Sequence, residues 1–168
     1  MKKLFYTLFF ISTTIIVISC GAYSFTGGDT GNAKTIQVDF FPNQAPLIEP
    51  TLSQKFTQEL QDLFTRQTNL TLVSSGGDLH FSGEITDYRI TPMSANANQT
   101  AAQNRLTISV NVNYINNLDE KKNFEKRFSF YYDYGATEQL TGGILDTALK
   151  DILERLTQDI FNASVGKW

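Results

Sequence analysis

The chain has 168 residues, 41% of them hydrophobic, with 17 acidic against 14 basic side chains, one cysteine and one histidine. An acidic balance excludes a nucleic-acid surface, which depends on clustered Lys and Arg to displace counterions. A single cysteine excludes an intrachain disulfide framework, and roughly 150 residues suffice for one domain with its own core.

Lys2 and Lys3 precede an apolar run from Leu4 to Ile18, softened by Ser12, Thr13 and Thr14. A charged start, an apolar stretch and a small residue at the cut describe a signal peptide over residues 1–19. A spanning helix needs about 20 apolar residues, more than this run offers. Ser19-Cys20-Gly21 resembles a bacterial lipobox, with Val17 where leucine is commonest. That resemblance implies a lipid on Cys20, which becomes the first mature residue; the alternative is an uncleaved anchor with a free thiol. Loss of residues 1–19 removes two lysines and no acid, leaving 12 basic against 17 acidic residues and a formal charge of −5. Each buried lipid methylene contributes about 0.8 kcal/mol, so several acyl chains hold a protein stably at a membrane. Residues 20–33 read as a tether rich in Gly, Ser and Thr, and 34–168 as one domain.

Lys34–Phe41 alternates, with Ile36, Val38 and Phe40 on one face, and predicts a strand. Pro42 ends it. Thr51–Thr68 is helical, since Leu52, Phe56, Leu60, Leu63 and Phe64 keep the 3–4 spacing, and Thr51 with Gln54 has the form of a capping box. Leu70–Ser74 is a short strand, Gly76-Gly77 a turn, and Asp78–Thr91 a longer strand whose parity breaks. Leu79, Phe81 and Ile85 share one phase; Tyr88 and Ile90 share the other. A bulge between Gly83 and Asp87 accounts for the change. Pro92–Asn104 is small, polar and without period, so it reads as a flexible loop. Leu106, Ile108, Val110, Val112 and Tyr114 then alternate, as do Phe124, Phe128, Phe130, Tyr132 and Tyr134, which predicts a long hairpin turning at Asn116–Asn123. A second helix runs from Thr141 to Ala163, with Asp151 and Arg155 placed to pair across one turn. The order β-α-β-β-β-β-α, with two helices on one face of a mostly antiparallel sheet of four to five strands, is a two-layer α+β sandwich.

Thr107, Ser109, Asn111 and Asn113, with Ser129 and Tyr131, fall on the phase opposite the helices. Asn is disfavoured in strands, and neutral hydrogen-bonding groups suit a face covered by another polar surface. His80 sits on the outward phase of its strand, with no ligand set at metal spacing around it. The sequence holds no Gly-x-Ser-x-Gly and no phosphate-binding glycine loop, so neither an enzyme nor a cofactor is expected. The glycosylation triplets at Asn69, Asn98 and Asn162 are chance occurrences behind a bacterial lipobox.

"CGAYSFTGGD", "KTIQVDFFPNQAPLIEPTLSQKFTQELQDLF", "GDLHFSGEITDY", "AAQNRLTISVNVNY" and "FEKRFSFYYDY" follow one another in order. Together they resemble the Bacteroidetes branch of the LptE family of lipopolysaccharide-assembly lipoproteins, over essentially the whole mature chain. The resemblance implies two helices on a small sheet. It also implies an outer-membrane lipoprotein on the periplasmic side, attached to the membrane through its N-terminal lipid, that plugs and helps assemble the LptD β-barrel. There it assists insertion of lipopolysaccharide into the outer leaflet. Surface export in such bacteria resembles a signal of acids soon after the cysteine; the first acid here is Asp29, which favours the periplasmic side. Thr107, Ser109, Asn111 and Asn113 become the candidate barrel contacts, since barrel interiors are polar. The candidate phosphate donors to lipopolysaccharide are Lys121, Lys122, Lys126 and Arg127 at the hairpin turn, and Arg89 and Arg105 beside the polar loop. Two other classes stay open: a periplasmic module that activates a cell-envelope enzyme, and a surface glycan-binding lipoprotein.

Overall fold

The computed structural model describes residues 28–93 and 102–166. The signal peptide, Cys20 and most of the tether lie outside the described residues. Alternation sends Ile36 and Val38 of β1 (Thr35–Val38) inward. Helix α1 (Leu52–Gln67) buries Leu52, Phe56, Leu60, Leu63 and Phe64, the expected stripe. Its expected capping box does not form. Thr51 is in the α-region, where its side chain cannot reach back to the first turn, and its hydroxyl donates to Glu49 at 2.9 Å.

β2 (Thr71–Val73), β3 (Leu79–Met93), β4 (Gln103–Asn116) and β5 (Phe124–Gly135) complete a five-stranded sheet in the order β2-β1-β3-β4-β5. β1 runs parallel to both β2 and β3, whereas β3, β4 and β5 form an antiparallel meander. Because β2 and β3 flank β1, the short link between them must cross it. Gly77 makes that crossing possible, since a Cβ there would lie 2.6 Å from the Gln37 amide nitrogen. Asp78 then ties the start of β3 to the start of β1. Its carboxylate accepts the amides of Lys34 at 2.8 Å and Thr35 at 3.0 Å, and its own amide donates to the Thr35 hydroxyl. These backbone donors, Lys34 first, hold the Asp78 carboxyl below its ordinary value.

The expected bulge is present: Ile85 pairs with Val110 and Asp87 with Ser109, leaving Thr86 as the extra residue. Phe81 and Ile85 before it, and Tyr88 after it, therefore face the helices. β3 and β4 run further than expected. Met93 pairs with Gln103, so both strands extend into the stretch read as a loop. Ladder pairing overrides the missing apolar period there, and the rest of that loop, 94–101, lies outside the described residues.

Helix α2 (Gly142–Val165) packs Leu149, Ile152, Leu153, Leu156, Ile160 and Phe161 against α1 and the sheet. Arg155 does not pair with Asp151; its guanidinium lies 5.8 Å from the Phe130 ring centre. A chain of aromatic contacts joins the layers: Phe161 to Phe64 at 5.0 Å, Phe64 to Phe81 at 4.8 Å, and Phe81 to Tyr114 at 4.7 Å. Such pairs add about 0.5–1.5 kcal/mol each beyond area burial. Burial, which outweighs the lowering effect of Asn116, pushes the Tyr114 phenol up to about 12.

Candidate functional site: the open sheet face and hairpin turn

Both helices cover one face of the sheet, so the other is open among the described residues. Thr107, Ser109, Asn111 and Asn113 all lie on this open face, as their phase requires. Their surroundings differ from the expected neutral surface. Register sets Arg89 and Tyr131 beside Thr107, Asp87 and Ser129 beside Ser109, and Glu84 and Arg127 beside Asn111. The neutral column of β4 is thus flanked by charge on both sides.

Ser109 departs furthest from expectation. It is only 1% exposed, because Asp87 and Ser129 close over it, and its hydroxyl donates to the Ser129 hydroxyl at 3.0 Å. Among the candidate barrel contacts, Asn113 is exposed and Thr107 and Asn111 are half-buried, while Ser109 is withdrawn from contact. Leucine at position 109 has to displace those neighbours, an overpacking that costs about 1–3 kcal/mol. Urea titration should show that loss for Ser109→Leu, whereas Asn111→Leu should stay within about 0.5 kcal/mol of wild type. Equal midpoints for the two variants would contradict the burial of Ser109.

The six candidate cations do not form one patch. Lys121 and Lys122 stand exposed in a 3-10 turn at Glu120–Lys122. Lys126 lies on the helix side of β5, opposite Val112, with its Nζ 5.0 Å from the Phe128 ring centre. Arg127, the next residue, points to the open face. Arg105 is committed elsewhere: its Nε and terminal nitrogen donate to the two Asp133 oxygens at 2.7 and 2.8 Å, and its guanidinium stacks 3.6 Å over Tyr131. That fork raises the Arg105 pKa, chiefly through the bond to Asp133. Arg89 and Arg127 are the two that converge, at 3.4 and 3.6 Å from the same oxygen of Asp87. Asp87 is nearly buried and both arginines remain more than half exposed, so the trio carries a net positive charge.

A second polar cluster went unread in the sequence. His80 Nε2 lies 2.8 Å from Asp39 Oδ2, and Gln37 Nε2 donates to Asp39 Oδ1 at 2.8 Å. Burial works to raise the Asp39 carboxyl, but the bonds from Gln37 and then His80 outweigh it and hold it below its ordinary value. The signal was available, since Gln37 and His80 share outward phases; their adjacency depends on the parallel β1–β3 register. A groove of about 600 Å³ between the helices, floored by Leu149 and Leu153, is bridged by Lys55 and Asp146 at 3.2 Å. Among the described residues no helix is long and apolar enough to cross a membrane.

Comparison with solved structures places the fold beside a hypothetical protein from Chlamydia trachomatis, at 9% identity, a TM-score of 0.54, and coverage of 76% of this chain and 93% of that one. A minor lipoprotein from Acinetobacter baumannii is similar at 12% identity and a TM-score of 0.49, over 77% of this chain and 91% of that one. A lipoprotein B from Nitrosomonas europaea matches at 11% identity and a TM-score of 0.47, over 83% and 86% of the two chains. No curated protein sequence matches significantly. The family model described as "LptE: Lipopolysaccharide-assembly" matches residues 33–164, from just before β1 almost to the end of α2. With the two-helix, five-strand architecture in place, that match makes this chain a member of the LptE lipopolysaccharide-assembly family.

Proposed function

We propose that the chain is an outer-membrane lipoprotein, anchored through a lipid on Cys20 and facing the periplasm, that plugs and helps assemble an LptD-type β-barrel. In that position it assists insertion of lipopolysaccharide into the outer leaflet. Family membership across nearly the whole folded region carries the reading. The open sheet face supports it. A face of Thr, Asn, Ser, Arg and Asp side chains, uncovered by its own helices, suits the polar wall of a barrel lumen. Purification of the native lipoprotein from detergent-solubilised outer membrane should bring down a very large β-barrel protein. Recovery of a peptidoglycan synthase instead would favour the envelope-enzyme activator.

Lipopolysaccharide offers phosphates, and arginine is a two-pronged donor to them. Arg89 and Arg127 are the pair best arranged to take one, because they share a single carboxylate and keep donors free. The double variant Arg89→Gln/Arg127→Gln should weaken lipopolysaccharide binding about tenfold, the equivalent of roughly one charge-assisted hydrogen bond, and flatten its salt dependence. Titration of the purified protein at two salt concentrations measures both. Unchanged affinity would move the phosphate site to Lys121 and Lys122.

A further inference from the structure

The apolar stripe of α2 turns toward α1 and the sheet, and its next flank, Asp151, Glu154, Arg155 and Gln158, overhangs β5. A groove of about 440 Å³ separates that flank from the aromatic side chains of β5. Packing alone would set apolar helix residues against Phe130 and Tyr132. The wall facing them is instead two carboxylates, a guanidinium and an amide.

Most of the groups around the groove are already committed. Tyr131 carries the Arg105 guanidinium 3.6 Å over its ring and stacks on Phe130 at 5.7 Å. Phe130 takes Arg155 at 5.8 Å, Arg105 holds both Asp133 oxygens, and the Gln158 amide donates to Asn162 at 3.1 Å. Tyr132 and the two helix acids are not committed. Tyr132 is half-buried with one side against the core, and among the described residues neither its ring nor its hydroxyl has a partner. The carboxylates of Asp151 and Glu154 likewise have no ion-pair or hydrogen-bond partner among the described residues.

We infer that this groove binds a sugar ring, stacked on Tyr132 with its hydroxyls on Asp151, Glu154 and Arg155. The lining decides between ligand classes. An anion would meet two unpaired carboxylates, and a small cation would meet the Arg155 guanidinium. A hydrocarbon would strip water from both carboxylates and return no hydrogen bond, which is costly. A pyranose has an apolar C–H face for an aromatic ring and a rim of hydroxyls that donate to carboxylates and accept from a guanidinium. The volume falls at the lower end of the usual range for small-ligand sites, about 300–1,000 Å³. The groove lies on the helix side of β5, away from Arg89 and Arg127, so this inference does not rest on the lipopolysaccharide reading. The same ring chemistry occurs in the sugars of lipopolysaccharide and in other cell-envelope glycans.

Nuclear magnetic resonance titration of the isotope-labelled full chain tests it, with the methyl glycosides of glucose, mannose, galactose and N-acetylglucosamine as probes. At least one should give saturable shifts centred on Tyr132, Asp151 and Arg155. No saturable shift with any of them, or shifts centred elsewhere, overturns the site. Sorbitol has the hydroxyls without a ring face and should not saturate; binding equal to that of the glycosides overturns the stacking. Tyr132→Leu keeps an apolar side chain without the ring and should weaken binding at least about tenfold, whereas Tyr132→Phe should stay within about threefold. The exposed acids give a second test that spares the core: Asp151→Asn/Glu154→Gln should weaken binding about tenfold with its melting curve intact. Unchanged affinity in that double variant rejects the groove, whether or not Tyr132→Leu folds. Competition separates the sources. Lipopolysaccharide that clears the glycoside shifts from the groove is the source of the ring, and lipopolysaccharide that leaves them in place assigns the site to another envelope glycan.

Discussion

Gly83→Val is expected to leave the chain without a cooperative unfolding transition. Gly83 sits within β3 at φ 153°, a backbone conformation that side-chain-bearing residues rarely adopt. A Cβ there would collide with the Asn111 carbonyl oxygen of β4 and come within 2.8 Å of the Phe41 ring. The first obstacle is backbone in a paired strand, which cannot rotate away. Backbone strain costs about 1–3 kcal/mol, and forcing extra volume into a packed site costs about 1–3 kcal/mol more. Their sum approaches the low end of a domain's whole stability, about 5–15 kcal/mol. Gly143→Ala is the matched control, because nothing lies near its Cβ position in the first turn of α2. Urea unfolding followed by circular dichroism should show a near-native midpoint for Gly143→Ala and no transition for Gly83→Val. A Gly83→Val protein with the wild-type midpoint would contradict the β3–β4 geometry.

Cys20→Ala is expected to abolish lipid attachment and release the protein from the membrane while the domain stays folded. The anchor proposed for this chain depends on one thiol, and the sequence has no other cysteine. The fold does not draw on that residue. Its described N-terminal end is Gly28, packed against Val165, and the next amide, Asp29, donates to the Val165 carbonyl at 2.6 Å. Several acyl chains anchor stably and none leaves only the soluble domain, so the partition should change from nearly all bound to nearly all free. Metabolic labelling with an alkyne fatty acid, followed by fractionation, reads both effects. Label persisting on the alanine variant would refute the lipid assignment, and loss of the folded domain would refute its independence from the tether.

Position along the chain was enough to read the elements. Periodicity is a property of one segment, so the stripe of α1, the alternation of β4 and β5, and the parity break resolved by Thr86 could each be seen from neighbouring residues. The ordered motifs likewise pointed to the family that the model match establishes. What lies beside a residue across the sheet is a different kind of fact. It depends on pairing between segments far apart in sequence, and a shift of two residues would keep every side chain on its face while changing every neighbour. For that reason the outward phase of Ser109 was legible, and its burial beneath Asp87 and Ser129 was not. Arg105 looked like a free cation until register placed Asp133 opposite it, and Arg89 and Arg127 became a pair only because Asp87 lies between them. The sequence alone determined which way most strand side chains point, because local geometry alternates along a strand. Phe40, expected on the same face as Ile36 and Val38, is instead exposed and Phe41 buried, because β1 ends at Val38 and the alternation stops with it. The tertiary structure decided which charges are spent and which stay available, because long-range register chooses their partners.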